Sequence, residues 1–266
     1  MEGVNFRGGF ALMRATWLSW MQYRSFFFIL AFGWMIPPLA AMFAWLAATD
    51  QGSLPSFTRD SFIGYYLVLI LVHQITYAQA NWTLGDVIRE GNLNFWLTRP
   101  LAGFWNVLAG EMAGKTVYLL FVIPVIFLLA IIFKPEIQTS SLQICLFLIA
   151  TSLAWALRFM WGFWLASLAF WTSRADGLLA LQDGLVFLLS GMVAPLALLP
   201  DRLQHIARIL PFHAMIGAPV DILIGSTPLN QVGASLLIQI IWVLIAGILC
   251  RVAWHNGLRR YSALGG

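Results

Sequence analysis

The chain has 266 residues, of which 61% are apolar and 10% charged, and its mean hydropathy is +0.83. A water-soluble domain carries about 25% charged residues, so a soluble enzyme and a disordered chain are both excluded and a polytopic membrane protein is left. The formal net charge of +4 then acts mainly on orientation and is not a nucleic-acid footprint.

The N-terminus, Met1 to Gly9, is polar, and the first apolar run is too long and too aromatic for a signal-peptide core, so no cleavable leader is expected. Phe10 to Arg24 follows, with Phe10, Met13, Trp17, Trp20 and Met21 on one side of a helical wheel and Arg14 and Arg24 at its edges. This reads as a helix lying in the membrane interface, with its arginines reaching headgroups; the alternative is an extension of the first span. A spanning helix needs about 20 mostly apolar residues. Six segments qualify: Phe26–Ala48, Phe62–Leu84, Val107–Phe133, Leu142–Trp171, Leu178–Leu199 and Val232–Trp254. Phe212–Ile224 is apolar but short, lies between Pro211 and Gly225 and contains Pro219, which predicts a re-entrant or interfacial piece. The expected fold is all-α: one transmembrane domain over residues 1–266, with six spans and both termini on one side.

Basic residues orient the bundle. With a cytoplasmic N-terminus, ten of them fall inside (Arg7, Arg14, Arg24, Arg89, Arg99, Lys115, Arg174, Arg251, Arg259 and Arg260). Four fall outside (Arg59, Lys134, Arg202 and Arg208), and Arg158 lies within a span. The positive-inside rule therefore predicts cytoplasmic termini.

Several motifs invite a chemical reading. Ala109 to Thr116, with Gly114-Lys115-Thr116, matches a loose phosphate-binding loop. Such a loop needs a preceding strand and a soluble helix after it; here an apolar span follows, so Gly110 and Gly114 are read as a small-residue packing face. Lys115 is placed near the cytoplasmic end of the third span. Arg158 sits in the middle of the fourth span, where an ionised side chain costs about 2.5–3.5 kcal/mol on insertion scales. It must face the bundle interior, with Asp183 and Glu111 as candidate partners, either as a pathway residue or as a clamp between helices. His73, Tyr77 and Asn81 recur every four residues and form a polar line on one helix face, which suits a translocation route or glue between two helices. The fourth span is rich in Trp and Phe, which fits lipid-facing packing or π contacts to a substrate. An intramembrane serine protease would need a Gly-x-Ser-Gly turn with a nearby His; Ser190-Gly191 lacks the leading glycine, and no His is expected beside it. Cys145 and Cys250 both fall in apolar runs and make neither a disulfide framework nor a metal cluster. No catalytic, cofactor or metal residues are assigned.

Two regions carry a family resemblance. One is Asp86-Val87-Ile88-Arg89-Glu90-Gly91-Asn92-Leu93-Asn94-Phe95-Trp96-Leu97-Thr98-Arg99-Pro100-Leu101 after the second span. The other runs from Ser190-Gly191-Met192-Val193-Ala194-Pro195-Leu196 through Leu210-Pro211-Phe212-His213 to Pro219-Val220-Asp221-Ile222-Leu223-Ile224-Gly225. In order and position these resemble permease subunits of bacterial type-2 ABC exporters, in the branch long catalogued as an ABC transporter family of unknown function. The resemblance implies an interfacial helix, six spans, a coupling helix at Val87–Leu97 and a second cytoplasmic contact at Arg174 and Asp176. It also implies an external re-entrant pair over Leu203–Ile224. Two permeases would pair with two separate ATPase chains, which would hold ATP and Mg; a heteromeric permease pair is slightly favoured over two identical copies. The expected location is the bacterial inner membrane.

The residues agree with that expectation independently. Asp86, Arg89, Glu90 and Arg99 surround Phe95 and Trp96, a mixture of both charge signs with aromatic anchors that suits a protein interface better than a headgroup contact. A membrane enzyme acting on lipids or peptides and an ion-coupled secondary transporter are the competing classes. The first would need a polar catalytic constellation at one depth and the second an inverted repeat with broken helices; neither is visible in the sequence. The transported substrate is not encoded in any motif found.

Overall fold

The computed structural model of the chain describes residues 6–50, 58–78, 80–98, 103–135, 139–172 and 174–261. Arg99, Pro100 and Leu101 of the first family motif lie outside them. Most of the described residues are helical, and there is no strand among them.

Helix α1 (Phe6–Gln22) turns at Tyr23 into α2 (Arg24–Asp50). Stacked rings fix the turn, with Trp20 and Phe27 centroids 4.3 Å apart and nearly parallel. α1 lies along α6 (Phe104–Phe133), and each helix offers the other a glycine. A Cβ on Gly9 would stand 2.5 Å from the Trp105 ring, and one on Gly114 would stand 2.8 Å from Trp20. Gly114 of the apparent phosphate loop is thus a socket for an indole. Ala109–Thr116 lies inside α6, where the backbone N–H groups are committed to the helix.

The second expected span is not one helix. α3 (Arg59–Thr76) opens on a capping box between Thr58 and Ser61 and is buried along most of its length. It stops at Tyr77, whose ψ of 128° is extended, and α4 resumes at Ala80 and runs to Arg89. No proline causes the break. The cause is tertiary: Lys115 of α6 and Arg158 hold Tyr77.

α7 (Ser141–Ser167) starts on a second capping box, Ser140 with Gln143, and ends in a 3₁₀ turn at Leu168–Phe170. It is the hub of the bundle. Its most extensive contact is with α12 (Leu229–Arg260), and it also touches α3, α4, α8 (Ala175–Leu189) and α11 (Gly217–Leu223).

The fifth expected span, Leu178–Leu199, is a correction in length. α8 has 15 residues, about 22 Å of helix, against a hydrocarbon thickness of about 30 Å. Ser190–Ala194 is irregular, with Gly191 at φ 96°. A Cβ there would stand 2.2 Å from the Tyr65 hydroxyl, and that hydroxyl donates to the Gly191 carbonyl at 2.9 Å. Tyr66 Oη and Trp45 Nε1 both donate to the Val193 carbonyl, at 2.9 and 2.8 Å. Side chains from α2 and α3 thereby satisfy the carbonyls that the helix gives up. Among the described residues, five segments are long and apolar enough to cross a membrane: 25–49, 104–133, 141–170, 229–260 and, counting α3 and α4 together, 59–89.

Between α8 and α12 the chain forms α9 (Asp201–Ile209), α10 (Pro211–Met215) and α11. Every residue from Pro211 to Ile222 is buried, wedged among α3, α7, α8 and α12. Pro219 falls in the first turn of α11, where a missing N–H costs little. Gln239 of α12 locks the wedge by donating to the carbonyls of Ala214 and Ala150, at 2.8 and 3.1 Å.

Candidate functional site: an intramembrane charge cluster and a polar end face

The break after α3 is where the charges of the bundle gather. Arg158 of α7 is only 2% exposed. Its Nη2 stands 3.5 Å from Asp183 Oδ1 of α8, its Nη1 stands 3.5 Å from Thr76 Oγ1, and its guanidinium lies 5.0 Å from the centroid of the Tyr77 ring. Of the two expected partners, Asp183 is therefore the one beside Arg158. Glu111 pairs with Lys115 on its own helix at 2.5 Å and accepts from Trp155 Nε1 at 3.4 Å.

Lys115 is drawn into the bundle. Its ammonium donates to the Tyr77 carbonyl at 2.7 Å and lies 5.9 Å from the Trp155 ring centroid. The two cations act on one residue: Lys115 caps the freed backbone of Tyr77 and Arg158 packs on its ring. The cost of interrupting a helix in an apolar medium is met by this pair of contacts. Both cations have carboxylates beside them, as buried charges require.

The polar line His73–Tyr77–Asn81 is divided by the break. His73 is on α3, and its ring lies 6.2 Å from Trp34 and 5.7 Å from Tyr77, while Trp34 and Tyr77 are 4.6 Å apart. Asn81, on α4, turns to α7 and donates to the Phe159 carbonyl at 3.1 Å, and Gly162 makes room for its amide. Asp183 has 23% of its side chain exposed and accepts from Gln182 Nε2 at 3.3 Å, so the cluster reaches the surface of the chain on the α8 side.

At one end of the bundle a second polar region forms from three distant pieces of sequence. The expected helix over Val87–Leu97 is instead the last turn of α4, a left-handed Gly91 at φ 76°, and the single turn α5 (Asn94–Leu97). Arg89 pairs with Asp86 and also reaches Asp176 Oδ1 of α8 at 3.3 Å, so the two regions expected at the cytoplasmic contact touch each other. Arg174 immediately precedes α8. Tyr261, at the end of α12, donates to the Gly91 carbonyl at 2.7 Å. Glu90 accepts from Asn92 at 3.0 Å. The aromatic pair divides: Trp96 packs against the α4–α7 core together with Val87, whereas Phe95 is 68% exposed.

Three features were not read from the sequence. Glu111 and Lys115 stand four apart on one helix, a spacing that itself signals a pair. The bond from Tyr261 to Gly91 had no sequence signal. His213 and Asp221 pair at 3.1 Å across α10 and α11, and two ionisable residues in one apolar stretch were the available clue. His213 also lies closer to Ser190 than expected: a Cβ on Gly217 would meet both the Ser190 carbonyl and the His213 ring within 2.6 Å. The Ser190 hydroxyl is nevertheless fully buried and without a partner among the described residues, and the imidazole is engaged by Asp221.

The family model described as ABC-2 family transporter protein matches residues 35–265, which covers everything above except α1 and the start of α2. A search of curated proteins finds no match.

Proposed function

The chain belongs to the ABC-2 family of transporter proteins, a multi-pass membrane transport subunit in kind, and from that premise we propose that it is the permease of an ATP-driven exporter in a bacterial inner membrane. In this reading α8 with the irregular segment after it makes a sixth crossing. Both termini are cytoplasmic, and α10–α11 form the buried part of an external re-entrant piece. Two permeases, in our reading two homologues, assemble with two ATPase chains. ATP and Mg sit on those chains, and this one carries no cofactor.

The observation that carries the reading is the convergence of Arg89, Asp176, Gly91 and Tyr261 at one end of the bundle. ATP hydrolysed on a separate chain must enter the membrane part as mechanical work through such a contact. Val87, Arg89, Glu90, Phe95, Trp96, Arg174 and Asp176 are the residues assigned to it. Phe95 is the exposed anchor, and Trp96 and Val87 are the base that holds it. The mixed charges form its rim. The contact leads inward along α4 to Tyr77, where Arg158 and Lys115 hold the break in the second span. Arg158, Tyr77 and Asn81 are assigned to helix pairing, His73 to the aromatic packing beside them, and Asp183, partly exposed, to the edge of the pathway. The test is copurification of the full-length chain with its ATPase partner, together with ATP-dependent transport in vesicles. Failure of an ATPase to associate with the wild-type chain would refute the assignment.

A further inference from the structure

Apart from the two regions above, the structure holds a cavity of about 300 Å³ with mixed polar and apolar walls, between α9, α10, α11 and the first turns of α12. We propose that this cavity is a binding site for a phosphate group, carried by a phospholipid headgroup or free in solution. It does not depend on the ATPase contact.

The wall is chemically one-sided. Arg208, Ser226, Thr227, Gln231 and Ser235 line it, with His213 among them. The first five can donate hydrogen bonds into the space, whereas Nε2 of His213 faces Asp221 instead, and no carboxylate is among the lining residues. Ala214, Ala218 and Ala234, whose small side chains leave the space, line it together with Pro228 and Ile238. The exposed side chain of Arg208 makes no ion pair or hydrogen bond among the described residues. Its planar fork of N–H donors is the side chain best matched to a phosphate. The loop that presents Ser226 and Thr227 is fixed, because Gly225 takes φ 76° and the Thr227 N–H donates to the Asp221 carbonyl at 3.1 Å. His213 is held in place by Asp221 behind it.

Position argues for a headgroup as the source. Leu203, Ile206 and Ile209 are exposed along one face of α9, the pattern of a helix resting in an interface, and Arg208 falls on the opposite face. About twenty residues counted back from Trp254, the length of one crossing, end near Ser235. The cavity therefore flanks the level at which hydrocarbon gives way to headgroups, where every phospholipid brings a phosphate.

The test uses the full-length protein in detergent, with bound phosphatidylglycerol counted by native mass spectrometry and thermal stabilisation measured with phosphatidylglycerol or with inorganic phosphate. Wild type is expected to retain one lipid per chain and to be stabilised by it. Arg208→Gln should weaken the response by about tenfold or more, and Ser235→Ala should weaken it by less. Arg202→Gln, which removes an exposed arginine of the same helix outside the cavity wall, should bind as wild type does. A response to lipid but not to inorganic phosphate identifies the headgroup as ligand, and a response to phosphate alone identifies a soluble one; both support a phosphate site. Equal binding by wild type, Arg208→Gln and Ser235→Ala, equal losses in Arg202→Gln and Arg208→Gln, or no response to either ligand would overturn the proposal.

Discussion

The Lys115 ammonium donates to the carbonyl oxygen of Tyr77 at 2.7 Å, across the gap between α6 and the end of α3. Together with Arg158 on the Tyr77 ring, that contact makes an interrupted helix tolerable inside the bundle, since the carbonyl has left the regular hydrogen-bonding pattern and needs a donor. It also ties the broken span to Glu111, the carboxylate that neutralises Lys115.

Lys115→Ala should therefore be a stability variant. It leaves the Tyr77 carbonyl without its donor and Glu111 as a buried, uncompensated carboxylate. Removing one partner of a buried pair costs about 3–5 kcal/mol. Thermal unfolding in detergent should show the loss, and the double variant Lys115→Ala/Glu111→Gln should recover part of it. Nucleotide binding by whatever complex remains folded should be unchanged, because Lys115 lies within a helix and not in a phosphate loop. Loss of nucleotide binding at full stability would contradict this.

Arg158 supports a parallel expectation with a smaller magnitude. Asp183 is partly exposed, so Arg158→Ala strands a carboxylate that can still reach water, and about 2 kcal/mol is expected. Arg158→Lys keeps the charge but loses the flat contact with the Tyr77 ring and the second N–H toward Thr76. It should fold and carry a measurable transport defect if the cluster transmits motion from α4. Stability and transport both at wild-type level in Arg158→Ala would remove the residue from either role.

The docking of α1 can be tested by adding a methyl group. Gly114→Ala places a carbon 2.8 Å from Trp20, whereas Gly33→Ala meets nothing within 4 Å. Overpacking of this kind costs about 1–3 kcal/mol. Gly114→Ala should loosen α1, seen as faster proteolysis within Phe6–Gln22 and altered Trp fluorescence, and Gly33→Ala should not. Equal behaviour would mean that α1 is not seated on α6.

The amount of this architecture written in the sequence differs from element to element. Apolar length alone marks α2, α6, α7 and α12, because the need to bury twenty residues in hydrocarbon acts locally. The shortness of the buried segment Pro211–Ile222 is also legible, since Pro211 and Gly225 bound an apolar run too short to cross. The break at Tyr77 is not legible. It depends on Lys115 and Arg158, which are distant in sequence, and no local residue forbids the helix from continuing. The early end of α8 at Leu189 is hidden for the same reason: Tyr65, Tyr66 and Trp45 receive the released carbonyls from other helices. At the end face, Gly91 was visible as a residue but not as the left-handed turn that divides the expected helix, and Arg89 meeting Asp176 is a product of packing.

Orientation has its own test. Single cysteines introduced by Asn92→Cys and Thr227→Cys, in a chain whose Cys145 and Cys250 are replaced by Ser, should react with an impermeant maleimide from opposite sides. The Asn92 position should be protected in intact cells and the Thr227 position labelled. Asn92 labelled from outside would reverse the bundle and remove the end face from the ATPase.

The end face carries the decisive experiment, because its two aromatic residues do different things. Trp96 packs against the α4–α7 core, so Trp96→Ala should disturb the loop itself and lower folded yield. Phe95 is exposed, so Phe95→Ala removes little from the isolated chain. If Phe95 is the anchor of the ATPase contact, truncating it should cost about 2 kcal/mol of association, roughly a thirtyfold loss of affinity. Glu90→Lys reverses a rim charge and should act more on association rate and salt dependence than on final affinity. Both variants should insert normally, because no span is altered. The measurements run in parallel: ATPase copurification, the salt dependence of binding, and transport. Wild-type copurification and transport by Phe95→Ala, together with a defect in Trp96→Ala explained by lower folded yield, would show that this end of the bundle is not where the ATPase binds.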